Sequence, residues 1–415
     1  MRLPNSAGLL AVSRLLATFL TLLTAPIVAR SVGPEGRGAV SAALAAFALV
    51  PIVLAFGMPL NLRRLSLRES SDGYVRAARD ITLTLFIPAV GIGYALGVTL
   101  FNSLDVFVQA VAVVGIASSP LTVSWMNDQS VLIAHRKFRC VAAIQLMQPL
   151  IYVVSIIFFW SFGRLNVGIV LVCYIAGSVA TFAFASWCVP VSVRGHRSSR
   201  RDFLRGSGSF VGGAVAEAAS NRLDQLLVLP LLGLYQAGLY SLAVTFSSLP
   251  MSFAHAVGAH YFSRYSEEEN DQDSLVSESI RVILYLSFFV AGLLSLLCIV
   301  LVPFIFGRDF VPALPSIWIS QAGSVLMCTS YVVSMVLVSR GSGRALTAAQ
   351  ISAVVASTSA LLLIAPWKGA VGASLASSSG YLVLLVIVLY LAKVRMRDLF
   401  LRKEDVMRAV RIIKR

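Results

Sequence analysis

The feature that most constrains this chain is a recurrence: apolar runs of twenty residues or so follow one another from end to end. About twenty apolar residues in a helix cross the roughly 30 Å hydrocarbon core of a bilayer. Twelve such runs can be read, at 7–29, 38–61, 81–101, 106–126, 140–162, 167–190, 208–232, 238–261, 282–305, 316–339, 345–365 and 370–392. Lipid offers no partner to backbone N–H and C=O groups, so runs of this length are helical. The expected fold class is all-α, a polytopic membrane protein of about 12 transmembrane helices in two pseudo-symmetric six-helix bundles. Charged residues make up only 13% of the chain, against about 25% in a soluble domain. The first run follows Met1-Arg2 as a signal peptide would, but it is too long, carries Arg14, and precedes eleven more runs. It is expected to stay as the first helix.

A formal net charge of +15 would point to nucleic acid in a soluble chain. Here the basic residues occupy short segments between apolar runs, so no nucleic acid partner is implied and the positive-inside rule accounts for them. With the N-terminus in the cytoplasm, 27 of the 34 Lys and Arg residues fall inside. Five fall outside: Arg30, Arg37, Arg164, Arg308 and Lys368. Arg14 and Arg222 lie within spans. Both termini are therefore expected on the cytoplasmic side. The tail, 394–415, reads as a basic amphipathic segment for anionic lipid, and Glu267-Glu268-Glu269 with Asp271 and Asp273 reads as a solvated loop. The five cysteines form no C-x-x-C pair and the four histidines no i,i+4 pair, so no metal or other cofactor is expected.

The two halves match each other. At an offset of 200, Gly33, Gly38 and Ser41 fall on Gly233, Gly238 and Ser241, with Pro51 and Pro250 close behind. Arg139 and Gln145 fall on Arg344 and Gln350, and Val167-Gly168 on Val371-Gly372, at offsets of 205 and 204. Both places near the start suggest one helix end, a tight turn between two glycines, and the next helix. Six spans per half give both halves one orientation, a parallel repeat about an axis along the membrane normal. The expected division is 1–205, an N-terminal six-helix bundle; 206–393, a C-terminal one; and 394–415, the tail. In that architecture a substrate site lies between the halves and one half rocks against the other.

Charges within spans are the candidate functional residues, because each costs about 2.5–3.5 kcal/mol to insert at the bilayer centre. The seventh span carries Glu217, Ser220, Asn221, Arg222, Asp224 and Gln225. At about 100° per residue Glu217, Asn221 and Asp224 share a face, and Arg222 lies about 140–160° from both carboxylates. It must meet another helix, a ligand or water. One reading is a polar network that locks the helix to its neighbours. The other is a wet central cavity, with Arg222, Asn221 and Gln225 binding an anionic substrate and Glu217 or Asp224 taking up a proton or sodium ion. Arg14 sits in the first span, the repeat partner of the seventh. It either snorkels to the cytoplasm or lines the same cavity, where two guanidinium groups suit a phosphate or pyrophosphate.

Four segments carry a family resemblance. They are Ala29-Arg30-Ser31-Val32-Gly33-Pro34-Glu35-Gly36-Arg37-Gly38; Arg222-Leu223-Asp224-Gln225 with Gly233 and Gly238-Leu239-Tyr240; Phe306-Gly307-Arg308-Asp309-Phe310 with Ala313; and Ser339-Arg340-Gly341-Ser342-Gly343-Arg344 with Gly369-Ala370-Val371-Gly372-Ala373. Through these the chain resembles the polysaccharide and O-antigen-unit flippases, in the superfamily that includes multidrug and toxic-compound extrusion transporters. The resemblance implies a V-shaped pair of six-helix bundles that moves a polyprenyl-pyrophosphate-linked oligosaccharide across the bacterial inner membrane, and it matches Arg222 and Asp224 to a recurring R-x-D in helix seven. The implied partners are the lipid-linked oligosaccharide, membrane lipids, H+ or Na+, and a polysaccharide polymerase or glycosyltransferases. The chain ends after twelve spans, whereas the superfamily's lipid II flippases have two more. A cation-coupled multidrug exporter is the alternative, and it calls for an anionic cavity. A membrane glycan polymerase or glycosyltransferase calls for catalytic residues on a long outside loop; the outside loops here are short, so no enzyme is expected.

Overall fold

A computed structural model describes residues 7–67, 72–191, 195–267 and 272–394. Among these, all regular secondary structure is helical. In chain order the helices are α1 (Ala7–Ala55), α2 (Met58–Leu65), α3 (Asp72–Thr84), α4 (Phe86–Thr99), α5 (Val106–Ala117), α6 (Ser119–Ala134), α7 (Phe138–Ser161) and α8 (Val167–Cys188). Then come α9 (Arg200–Ser247), α10 (Leu249–Glu267), α11 (Gln272–Leu301), α12 (Leu314–Ser339) and α13 (Gly343–Leu391), with a π-helical turn (Val302–Phe306) and a 3-10 segment (Arg308–Ala313) before α12. The basic tail, from 395 on, and Glu268, Glu269 and Asp271 of the acidic cluster lie outside the described residues.

Nine stretches among the described residues are long and apolar enough to cross a bilayer. Three of them, Gly8–Ala55, Arg200–Gly258 and Gly343–Leu391, run to 48, 59 and 49 residues and each hold two spans. The junction in each is one left-handed glycine: Gly33 (φ 70°, ψ −178°), Gly233 (φ 80°, ψ 173°) and Gly369 (φ 59°, ψ −138°). This is a region essentially reserved for glycine. Twelve spans result, a polytopic all-α membrane protein. The near-identical angles at Gly33 and Gly233 put the offset of 200 into backbone geometry. They also correct one expectation. The turn is not a segment between two glycines but a single residue, after which the helix resumes at once, in the first half on Pro34, whose fixed φ suits a first helical position.

Several spans also break near the middle. Phe56-Gly57 separates α1 from α2, Leu85 separates α3 from α4, Ser118 separates α5 from α6, and Ser248 separates α9 from α10. A proline follows each break within three residues, at Pro59, Pro88, Pro120 and Pro250. Proline brings no N–H and clashes with the carbonyl four residues back, so it is tolerated where a helix restarts. Hydroxyls within spans are satisfied locally: Thr18, Thr21 and Ser31 donate to the carbonyls of Arg14, Ala17 and Ile27. Asp105 and Asn166 cap the starts of α5 and α8 by accepting from the Phe107 and Ile169 amides.

Two span ends differ from the hydropathy reading, with consequences. Hydropathy ends the fourth span at 126, but α6 continues to Ala134 and carries Asn127 and Asp128 into the interior, both buried. The third begins earlier than 81: α3 starts at Asp72 and takes Arg76, Arg79 and Asp80 into helix. Arg37, counted among the outside-loop residues, lies in the resumed helix of α1 with its Nε buried. In each case the chain continues as helix through polar residues, because neighbouring side chains rather than lipid surround them.

Packing relies on small residues. Ala39, Ala42, Ala43, Ala45 and Ala46 are all buried on α1, which lets backbones approach closely. A Cβ at Gly115 would meet the Phe47 ring at 2.1 Å, and one at Gly380 would meet Ser357 at 2.6 Å. Large apolar residues point outward instead, among them Ile87, Phe304 and Val300. Trp160, Trp187, Trp367 and Tyr390 are exposed near span ends, where amphipathic rings suit the headgroup level.

The chain divides into two compact units. The first comprises the residues up to Ala218 together with Gln225–Pro230; the second comprises Ala219–Asp224 and the residues from Leu231 on. The first has a core around Val28, Val40, Tyr152, Ile156 and Val170. The second has one around Val257, Tyr261, Ile280, Val332 and Val336.

Candidate functional site

Helix α9 carries most of the candidate residues, and its residues differ sharply in surroundings. Glu217, Asn221 and Arg222 are exposed, Asp224 is half-buried and Gln225 is buried. In the first unit, Gln225 Oε1 lies 3.5 Å from Ser41 Oγ, at the outer limit of a hydrogen bond.

Asp224 is held firmly in the second unit. Its Oδ2 accepts from the Tyr240 hydroxyl, in a very short contact, and from Ser377 Oγ at 2.8 Å. The two hydroxyls are themselves 2.7 Å apart. Three helical segments thus meet at one carboxylate: α9 before Gly233, α9 after it, and α13 after Gly369. The two glycine breaks make this possible by folding each long helix back. Gly369 is fixed in turn by Gln236, whose Oε1 accepts from the Ala370 amide at 2.9 Å.

A small pocket opens beside this carboxylate, lined by Ser220, Asp224, Ser357, Ser377, Gly380 and Tyr381, with room for about one water molecule. It suits a water, a proton or a small cation, and it excludes a sugar. Tyr381 of α13 lines the same pocket.

Arg14 is exposed on α1. Its neighbour Ser13 turns inward and donates to Gln145 Oε1 at 2.7 Å. Glu217 lies in the first unit's portion of α9, while Asn221, Arg222 and Asp224 lie in the second unit's. The structure thus gathers Asp224 with Tyr240, Ser377 and Tyr381, three partners the charge pattern does not single out. Tyr240 falls in a family-like segment, and its register sixteen residues after Asp224, across a glycine break, is the available signal. A second carboxylate escapes the sequence reading outright. Asp128, with its side chain 2% exposed, pairs with Arg79 Nη2 at 3.3 Å. Both stand outside the spans as hydropathy draws them.

The sequence profile of the polysaccharide biosynthesis protein family matches residues 4–262. Among curated proteins none matches the sequence. Solved structures similar in fold include a lipid II flippase MurJ in an inward closed conformation, with a TM-score of 0.79 at 13% identity, covering 98% of this chain and 97% of that one. An inward-facing multidrug resistance MATE family transporter of the MOP superfamily gives a TM-score of 0.71 at 15% identity, over 97% of this chain and 99% of that one. An outward-facing multidrug resistance MATE family transporter of the same superfamily gives 0.63 at 14% identity, over 98% and 96%. At these identities the likeness is one of fold, that of a multi-pass membrane transporter. Since the family profile spans more than half of the sequence, the chain belongs to the polysaccharide biosynthesis protein family.

Proposed function

We propose that the protein flips a polyprenyl-pyrophosphate-linked oligosaccharide from the cytoplasmic to the outer leaflet of a bacterial inner membrane, for surface polysaccharide biosynthesis. Transport runs by alternating access between the two sequence halves, 1–205 and 206–393, with both termini cytoplasmic. The carrying observation is the exposed Asn221-Arg222 pair on a membrane-spanning helix, two residues from a carboxylate held by hydroxyls. Arg222 is exposed on that helix, and a pyrophosphate accepts the bidentate fork of a guanidinium. Arg222 and Asn221 are assigned to the head group, with Gln225 and Arg14 contributing to the same path. Family membership supports the polysaccharide cargo, and glycosyltransferases are the reaction class that must supply it.

Asp224 is the coupling site in this reading, with Glu217 the other carboxylate of the same helix. The water-sized pocket beside Asp224 supports uptake of H+ or Na+ there and leaves the sugar elsewhere. The test is reconstitution in vesicles with a labelled lipid-linked oligosaccharide. Wild-type protein should carry the label to the far leaflet, and Arg222→Ala should reduce the rate at least about tenfold, as loss of a charge-assisted contact does. If the vesicles instead export fluorescent organic cations and leave the oligosaccharide in place, the protein is a multidrug exporter, a reading to which the MATE-like fold also lends support.

A further inference from the structure

Asp128 of α6 has no place in the transport site described above, and its surroundings are unusual. Arg79 of α3 binds one carboxylate oxygen, Oδ1, at 3.3 Å, while Oδ2 is buried without a hydrogen bond. Next to it, Asn127 is 3% exposed and neither atom of its amide has a partner. Buried polar atoms left in this way call for water. The Arg79 side chain is 30% exposed, so the guanidinium links this interior group to the protein surface.

Helix α3 does more than hold Asp128. It grips the described parts of the connector that joins the two sequence halves, residues 189–191 and 195–199. Arg79 Nη2 donates to the Val189 carbonyl at 2.7 Å, the C-cap of α8. Arg76 Nη1 donates to the His196 carbonyl at 2.8 Å, and the Ser198 amide donates to the Gly73 carbonyl at 3.2 Å. Asp80 pairs with Arg197 at 3.3 Å and with Arg200, at the start of α9, at 2.8 Å. One face of α3 is thus a clasp on the connector, and the Arg79 Nη2 that takes part in it also rests on a buried carboxylate.

Arginine keeps its charge at any physiological pH and cannot accept a hydrogen bond. A protonated Asp128 can still accept a hydrogen bond through Oδ1 but no longer holds Arg79 as an ion pair, so the contact weakens. The charged and titratable groups that face Asp128 are few. They are Arg79 from α3 and Cys188 at the end of α8, with Cys140 and Lys137 at the start of α7 beyond it; the Ser186 hydroxyl of α8 also faces the carboxyl.

We propose that Asp128 is a proton-binding site in the first half, and that its protonation weakens the hold on Arg79 and loosens the clasp between α3 and the connector. The proton comes from cytoplasmic water through the Arg79 side and is returned the same way. The site adds to the transport reading a way for proton uptake in one half to free the segment that leads into α9. It rests on that reading only for its purpose, since the structural step stands by itself.

The test is hydrogen–deuterium exchange of the full chain in lipid nanodiscs between about pH 5 and 8, read on connector peptides that contain the Ser198 amide and corrected for the intrinsic rate of an unfolded peptide. In wild type, protection should drop about tenfold toward acid, the loss expected for one charge-assisted bond. Asp128→Asn, which mimics the protonated carboxyl, should show the loosened level at every pH. A wild-type profile that stays flat, or a pH step that survives in Asp128→Asn, overturns the proposal. Should that variant fail to insert, Arg79→Gln serves in its place: it should be loose at every pH, and a surviving pH step in it is equally fatal. Exchange does not depend on cargo, so this experiment can fail while oligosaccharide flipping stands, and the reverse.

Discussion

The two halves share a backbone plan and differ in how they hold a buried carboxylate. In the first half the holders are guanidinium groups: Arg79 on Asp128, and Arg197 with Arg200 on Asp80. In the second, hydroxyls take part: Tyr240 with Ser377 on Asp224, and Tyr261 on Glu278 at 2.8 Å. The distinction is mechanical. A hydroxyl can turn from donor to acceptor, so a carboxyl among hydroxyls keeps its bonds whether or not it carries a proton. A guanidinium cannot turn. Proton uptake at Asp224 can keep its hydroxyl contacts, whereas at Asp128 it removes the charge that makes the contact with Arg79 an ion pair. The same contrast appears where the sixth and twelfth spans end. Arg79 holds the Val189 carbonyl in the first half, and Arg340 holds Ala392 at 3.1 Å in the second. Both carbonyls belong to C-cap residues. The role repeats, but the arginine comes from α3 in one half and from the end of α12 in the other.

Removing a guanidinium from a buried carboxylate should therefore have the largest effect. Arg79→Ala leaves Asp128 buried and unpaired, a change that costs about 3 kcal/mol when one member of such a pair is lost. Thermal unfolding in detergent should show the drop, and Arg79→Met with Asp128→Leu should recover most of it. If the single variant is as stable as wild type, the ion pair does not hold the first half and the contrast with the second collapses.

The shared plan can be tested at the glycine breaks. Gly33 and Gly233 have nearly the same angles, and a Cβ at either would meet nothing within 4 Å. Substitution by alanine is then purely a matter of backbone conformation, about 2 kcal/mol in a region essentially closed to other residues. Gly33→Ala and Gly233→Ala should cost the same to within the error of an unfolding measurement. Unequal losses would mean that the repeat is one of sequence and not of mechanics.

Legibility followed the physics that acts on each level. Span number and the offset of 200 were readable because lipid imposes helix on any long apolar run, and because Gly33 and Gly233 have no substitute at their angles. The mid-span breaks were readable only as prolines. Pro59 follows the break at Phe56-Gly57, while Pro26 and Pro149 sit in helical segments with no break beside them. Asp128 was lost because hydropathy falls at the first polar residues and ends the span there. Burial of Asn127 and Asp128 depends on partners from α3 and α8, which sit about fifty residues away on either side and leave no trace in local composition. Tyr240 and Ser377 were hidden from the candidate site for the same reason.

The smallest effect should come from trimming the hydroxyl cage in the second half. Tyr240→Phe keeps the buried ring and removes a donor to Asp224, while Ser377 still donates at 2.8 Å. One charge-assisted bond is lost and the pocket beside it can admit water, so the expected loss is about 1 to 1.5 kcal/mol. Unfolding measured beside Arg79→Ala decides the matter. A Tyr240→Phe loss clearly below that of Arg79→Ala fits a carboxylate whose partners are interchangeable. A loss as large would mean that Asp224 depends on this one hydroxyl as Asp128 depends on its guanidinium, and the halves would then hold their buried charges in the same way.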